Sequence, residues 1–196
     1  MKSSQLRRAL VIIIAASGIW QIGQASYIYA KAGIAQYLIQ SSWQATLRTQ
    51  IAKKPWPWAD TWPVSRLIMP KHDVDLFILA GDNGRTLAFG PGYRFGSSSP
   101  GDAGNSLIAA HRDTHFNFLK NVVIGEHFSL QNSNAVTQEY EIVDIRIRHY
   151  KNVSLPRSLQ KPMLTLVTCY PFNAMTTGGP MRYIVIAEQI LNTVLL

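Results

Sequence analysis

Residues 9–30 run 22 positions without a formal charge, opening on Leu10-Val11-Ile12-Ile13-Ile14-Ala15-Ala16. At roughly 1.5 Å per residue, a helix of that length is about 33 Å long, enough to cross a bilayer core. Beyond it, Ile34, Leu38, Trp43, Leu47 and Ile51 fall mostly four apart, which predicts helix over 31–52 with a solvated face of Gln, Ser and Thr. Lys53-Lys54-Pro55-Trp56-Pro57-Trp58 ends that helix, because proline disfavours it at its own position and at the one before. The two tryptophans of this stretch are expected to pack on the domain that follows. From residue 61 the pattern turns to short strands, at 64–69, 75–79, 106–110, 137–148, 164–168 and 181–187. The longest alternates Ile142, Ile145 and Ile147 with Asp144, Arg146 and Arg148. Asp82-Asn83-Gly84 reads as a turn, 97–101 as a loop, and 117–123 as one or two helical turns. Strands punctuated by Gly and Pro, with no long helix among them, predict an all-β closed barrel or sandwich.

Charge alters the picture at one end only. The 19 Lys+Arg and 11 Asp+Glu leave a formal +8, which suggests a nucleic-acid or membrane partner. Residues 1–60 hold Lys2, Arg7, Arg8, Lys31, Arg48, Lys53 and Lys54 against Asp60, whereas 61–196 are only +2. The body therefore lacks the basic footprint of a nucleic-acid binder, and no nucleic-acid partner is expected. Lys2, Arg7 and Arg8 precede the apolar run and Lys31 follows it. That arrangement predicts a single-pass anchor in the plasma (inner) membrane with the N-terminus in the cytoplasm. A cleavable signal peptide is a second reading, with its apolar region at 10–20 and Gly23-Gln24-Ala25 as the cleavage site. A buried core helix is a third. The first two agree that the body leaves the cytoplasm. The resulting division is 1–30 as basic stub and signal-anchor, 31–60 as helical and Pro/Trp-rich linker, and 61–196 as the β domain.

The chain has a single cysteine, so no internal disulfide framework is possible. Cys169 closes the strand Leu164-Thr165-Leu166-Val167-Thr168-Cys169, and Pro171 stops it. A rigid strand end is where functional side chains are displayed, although most free cysteines are small buried hydrophobes. Of the five histidines, His111 closes a strand too, in Ser106-Leu107-Ile108-Ala109-Ala110-His111. An imidazole beside a thiol supplies the base or cation that makes an effective thiolate. His111 and His115 form an H-x-x-x-H pair, but a zinc-protease helix needs Glu where Arg112 stands, so no metal is expected. Arg182, opening the last strand, can hold carbonyl oxygens and stabilise an oxyanion; taken alone it is a solvated arginine.

Together, His111-Arg112-Asp113-Thr114, Thr165-Leu166-Val167-Thr168-Cys169 and the downstream Arg182 resemble the sortase family of membrane-anchored cysteine transpeptidases. The wording around His111 and Cys169 is most similar to the Gram-negative branch, and next to class D. The resemblance implies an eight-stranded closed β-barrel with one or two short helices, and no cofactor. It also implies that Cys169 attacks a backbone carbonyl in a C-terminal Leu-Pro-x-Thr-Gly-type sorting signal. His111 would serve as acid and then base, Arg182 would position substrate and stabilise the oxyanion, and Thr168 would shape the oxyanion site. Asp113 would orient the imidazole or cap the local turn, with Arg112 and His115 structural. The implied partners are a substrate protein bearing the signal and an amine acceptor in the cell envelope. Two alternatives stay open: a cysteine peptidase that releases substrate to water, and a non-catalytic membrane-anchored binding barrel.

Overall fold

The structure, a computed structural model, describes residues 3–153 and 161–190. Lys2 of the basic prefix lies outside the described residues. The apolar run and the helix expected after it form one continuous element, α1 (Ser3–Thr49), with no proline to interrupt it. The chain divides into two compact units, Met1–Tyr37 and Leu38–Leu196. In the first, Leu10, Val11, Ile13, Ile19, Ile22 and Ile28 all face outward, and the helix is long and apolar enough to cross a membrane.

The second unit begins with the last turns of α1, where Gln40, Ser41, Gln44 and Thr49 are solvated as expected but two hydroxyl residues are not. Ser42 and Thr46 are buried with Ile39 and Trp43, whereas Ile51 is exposed. The hydroxyls are satisfied locally. Ser42 Oγ donates to the Lys53 carbonyl (2.5 Å), and the Lys53 N–H donates to Thr46 Oγ1 (3.1 Å), folding the chain back where the helix ends. Small hydroxyl side chains can line a buried face once their polar atoms find partners. Trp43 is fully buried and lies 6.3 Å from the Phe77 ring. Of the two linker tryptophans, Trp56 packs edge-on against Phe89 (5.1 Å) and Trp58 stays exposed.

Eight strands follow: β1 (Pro63–Met69), β2 (Val74–Ala80), β3 (Gly92–Tyr93), β4 (Gly104–Ala109), β5 (His127–Asn132), β6 (Thr137–His149), β7 (Pro162–Tyr170) and β8 (Met181–Gln189). They close into a barrel in the order β1-β2-β3-β4-β7-β8-β6-β5. All six expected strands are present, and β3 and β5 are additional. The expected turn at 82–84 is a four-residue helix, α2 (Gly84–Leu87), whose Asn83 side chain accepts from the Arg85 and Thr86 N–H groups. A 3-10 helix at Asn117–Asn121 occupies the expected helical stretch.

Alternation sorts each strand between the barrel interior and its outside. Leu67, Ile78, Ile108, Phe128, Leu130, Leu164, Leu166 and Val185 pack together inside. On β6 the alternation skips between Ile142 and Ile145. A register irregularity between Ile142 and Asp144, opposite β8, accounts for the odd spacing. The outer face of β7 and β8 carries a second, smaller apolar cluster of Met163, Ile184 and Ile186, with Val153 and Val167 against it. An apolar outer face on a barrel strand needs a cover, and this one adjoins Cys169.

An ion cluster centred on the buried Glu126 ties the β1–β2 turn to the start of β5. Glu126 accepts from His72 Nε2 (2.7 Å) on one oxygen and is paired with Lys71 on the other. Burial pushes this carboxyl upward, but its hydrogen bonds with Lys71 and His72 and their charges outweigh that, so its pKa lies below the ordinary 4.5. A depressed carboxylate stabilises the fold above its unfolded pKa, and that contribution is lost as pH falls through the folded value. Glu126→Gln should lower Tm by roughly 5 °C at pH 7. In thermal scans the gap from the unsubstituted protein should close progressively as pH drops below 4.5.

Candidate active site

The site is built from three adjacent strands. β4 and β7 pair in parallel, with Gly104 opposite Pro162 and Ala109 opposite Val167. The Ala110 N–H donates to the Val167 carbonyl (3.2 Å), so pairing continues past the end of β4. Carried two residues beyond Ala109 and Val167, the same register sets His111 level with Cys169. On the other side β8 is antiparallel to β7, and Arg182 lies directly opposite Cys169. The three expected residues thus come together at one end of the sheet, along a groove of about 400 Å³ that all three line.

Side-chain period decides which residues face that groove. Leu164 and Leu166 point into the barrel core, so Val167 and Cys169 point outward. Cys169 is half-buried and carries a free thiol. Leu87, Ala109, Tyr150, Val153 and Val167 give the groove apolar walls. Arg182 Nη1 donates to the carbonyls of Gly179 (2.7 Å) and Met181 (2.9 Å), and its guanidinium carbon sits 5.9 Å from the centre of the Tyr150 ring.

Thr168 is buried, and its Oγ1 donates to the Ala110 carbonyl (2.8 Å). The hydroxyl therefore fixes the residue before His111. Asp113 accepts from Arg112 Nε (2.6 Å) and Nη2 (3.0 Å). Its pKa is held down first by the hydrogen bonds from Arg112, against burial, with the Arg112 and His111 charges adding to the effect. Asp113 is thus committed to Arg112 and reaches His111 only through its charge. His115 lines a different depression, beside Asp73, Asn117 and Lys120. Desolvation, and then the charge of His111, push its pKa down.

One contributor has no mark in the sequence, and a second was expected only as structural. Tyr150 follows β6 and stacks on His149 (4.8 Å), a contact no local pattern announces. Arg112, expected to be structural, is only 3% exposed. The adjacent Asp113 was the available signal, since a buried guanidinium needs a carboxylate or several carbonyls to satisfy it.

The closed eight-stranded barrel has the sortase fold, and one outer groove on it gathers a cysteine, a histidine and an arginine. Residues 67–190 match the family model described as the sortase domain, and the chain belongs to the sortase family. It is 30% identical over 125 residues to sortase D of Bacillus subtilis (strain 168), a match covering 63% of this chain and 62% of that protein. The chain thus spans less than two thirds of that relative's length. Among solved structures, a Clostridium perfringens sortase D5 transpeptidase superposes with a TM-score of 0.64 at 20% identity, over 81% of this chain and 99% of that one. Sortase C-1 from Actinomyces oris gives a TM-score of 0.59 at 29% identity, over 66% and 73%. Sortase A from Corynebacterium diphtheriae gives 0.60 at 24% identity, over 68% and 63%.

Thr168 links the two strands that align the site. Thr168→Val should leave the Ala110 carbonyl without this donor and cost about 1–2 kcal/mol in urea denaturation, and Thr168→Ser should recover most of the loss.

Proposed function

We propose that this protein is a cysteine transpeptidase that cuts a C-terminal sorting signal of Leu-Pro-x-Thr-Gly type and passes the acyl group to an amine at the cell envelope. The observation that carries the reading is the placement of Cys169, His111 and Arg182 on three adjacent strands, facing one apolar-walled groove. The Cys169 thiolate attacks the scissile carbonyl carbon, forming the C–S bond while the carbonyl electrons move to oxygen. The Arg182 guanidinium stabilises that oxyanion and holds substrate carbonyls. Collapse breaks the C–N bond, and the His111 imidazolium gives its proton to the departing amine. The incoming amine then loses a proton to His111 as it displaces the thiolate. Thr168 and Asp113 act in support: Thr168 by fixing Ala110 and the strand end, Asp113 through its pair with Arg112.

The exposed apolar residues of α1 behind Arg7 and Arg8 support a membrane anchor with a cytoplasmic N-terminus and an extracytoplasmic barrel. The partners in this reading are the signal-bearing protein and the amine acceptor.

Full-length protein in detergent should cleave a Leu-Pro-x-Thr-Gly peptide and yield a ligated product by mass spectrometry when an amine is added. Product carrying only water at every amine concentration would make it a peptidase. Cys169→Ala should abolish cleavage with the fold intact, and activity retained in that variant would sink the proposal. Arg182→Ala should lose roughly 10²–10³ in kcat. Arg182→Lys should recover little, because the forked donor geometry is gone.

A further inference from the structure

The loop between β7 and β8, residues 171–180, reads Pro-Phe-Asn-Ala-Met-Thr-Thr-Gly-Gly-Pro and has no charged side chain. From Met175 to Pro180 every residue is exposed, so the loop has little apolar surface with which to hold itself. Beneath it lies the guanidinium of Arg112. Nη1 donates to the Pro171 carbonyl (2.7 Å), and Nη2 donates to those of Ala174 (3.1 Å) and Thr176 (3.3 Å). Nε and Nη2 also bind Asp113. Burying an arginine is costly unless its donors are met, and here three loop carbonyls and one carboxylate meet them. Its pKa is raised first by the Asp113 hydrogen bonds, against burial, and the charges of Asp113 and Cys169 add to this.

A loop anchor of this kind could serve stability alone. What assigns it more is what stands at each end. Arg112 directly follows His111 in the chain, and the loop directly follows the strand of Cys169. At its far end the loop presents the Gly179 carbonyl, which accepts from Arg182 Nη1 (2.7 Å). One guanidinium therefore connects the histidine's strand end, the segment after the cysteine, and the support of the second arginine. Resting on the transpeptidase reading, we infer that Arg112 is a positioning residue that sets Arg182 through the β7–β8 loop.

The test uses full-length protein in detergent carrying Arg112→Gln or Arg112→Lys. Chymotrypsin cutting after Phe172 or Met175, read by mass spectrometry, reports loop opening without any substrate. It should run roughly tenfold faster in Arg112→Gln and at an intermediate rate in Arg112→Lys, because lysine keeps the charge and loses the fork. With the Leu-Pro-x-Thr-Gly peptide, Arg112→Gln should lower kcat by about tenfold or more. Placed in an Arg182→Ala background, the same substitution should change kcat less than about twofold, since the residue through which it acts is already gone. A folded Arg112→Gln whose loop is cut no faster overturns the inference, and so do effects of the two substitutions that simply multiply. If Arg112→Gln does not fold, wild-type rates in Arg112→Lys overturn it equally. A wild-type protein that leaves the peptide uncut overturns the proposed reaction instead, and the chymotrypsin rates then decide whether Arg112 holds the loop.

Discussion

The parallel pairing of β4 with β7 is the constraint on which the rest depends. Side-chain direction along a strand has a period of two, so a slip of one residue would turn Cys169 into the barrel and the Thr168 side chain out of it. The register is held by inward packing of Ile108, Leu164 and Leu166. Two side-chain bonds also link the strands: Thr165 Oγ1 to Asn105 Oδ1 (2.9 Å) and Thr168 Oγ1 to the Ala110 carbonyl (2.8 Å). Parallel neighbours also need a long connection. Here the connection from Ala109 to Pro162 contains β5 and β6, which pair with β1 and β8 and close the barrel. The chain that separates His111 from Cys169 in sequence is thus the same chain that brings them together in space.

That dependence explains what could be read in advance. Strand-end positions for His111 and Cys169 follow from local alternation and from the residues that stop each strand, and both are properties of a few consecutive residues. Arg182 was legible because a glycine-proline loop visibly precedes its strand. The two strands that were missed lack such marks. β3 is two residues long and exists because Gly92 lets the chain pass close to the Gly81 carbonyl oxygen, where any Cβ would collide. In β5 only Phe128 and Leu130 point inward among polar neighbours, too short a signal to separate from loop. The burial of Ser42 and Thr46 was illegible for a different reason. Both are made tolerable by the backbone of Lys53, where the chain reverses, and hydrophobic pattern carries no record of that partner.

The two arginines near the site illustrate how environment divides one chemistry into two uses. Arg112 is buried, and its charge is balanced by Asp113. What remains available from it is geometry, a rigid fork of donors that organises loop carbonyls. Arg182 is held by the neutral carbonyls of Gly179 and Met181 and by the Tyr150 ring, and among the described residues it forms no ion pair. Arg148 lies directly across from it on β6, and like charges in that relation are destabilising. An uncompensated, partly exposed cation beside a thiol is poorly spent on stability, and its value is greatest when negative charge appears on a neighbouring oxygen. That is the moment a thiolate adds to a carbonyl, so the absence of a carboxylate partner fits Arg182 for the oxyanion role proposed for it, just as the presence of one fits Arg112 for the loop-holding role inferred for it.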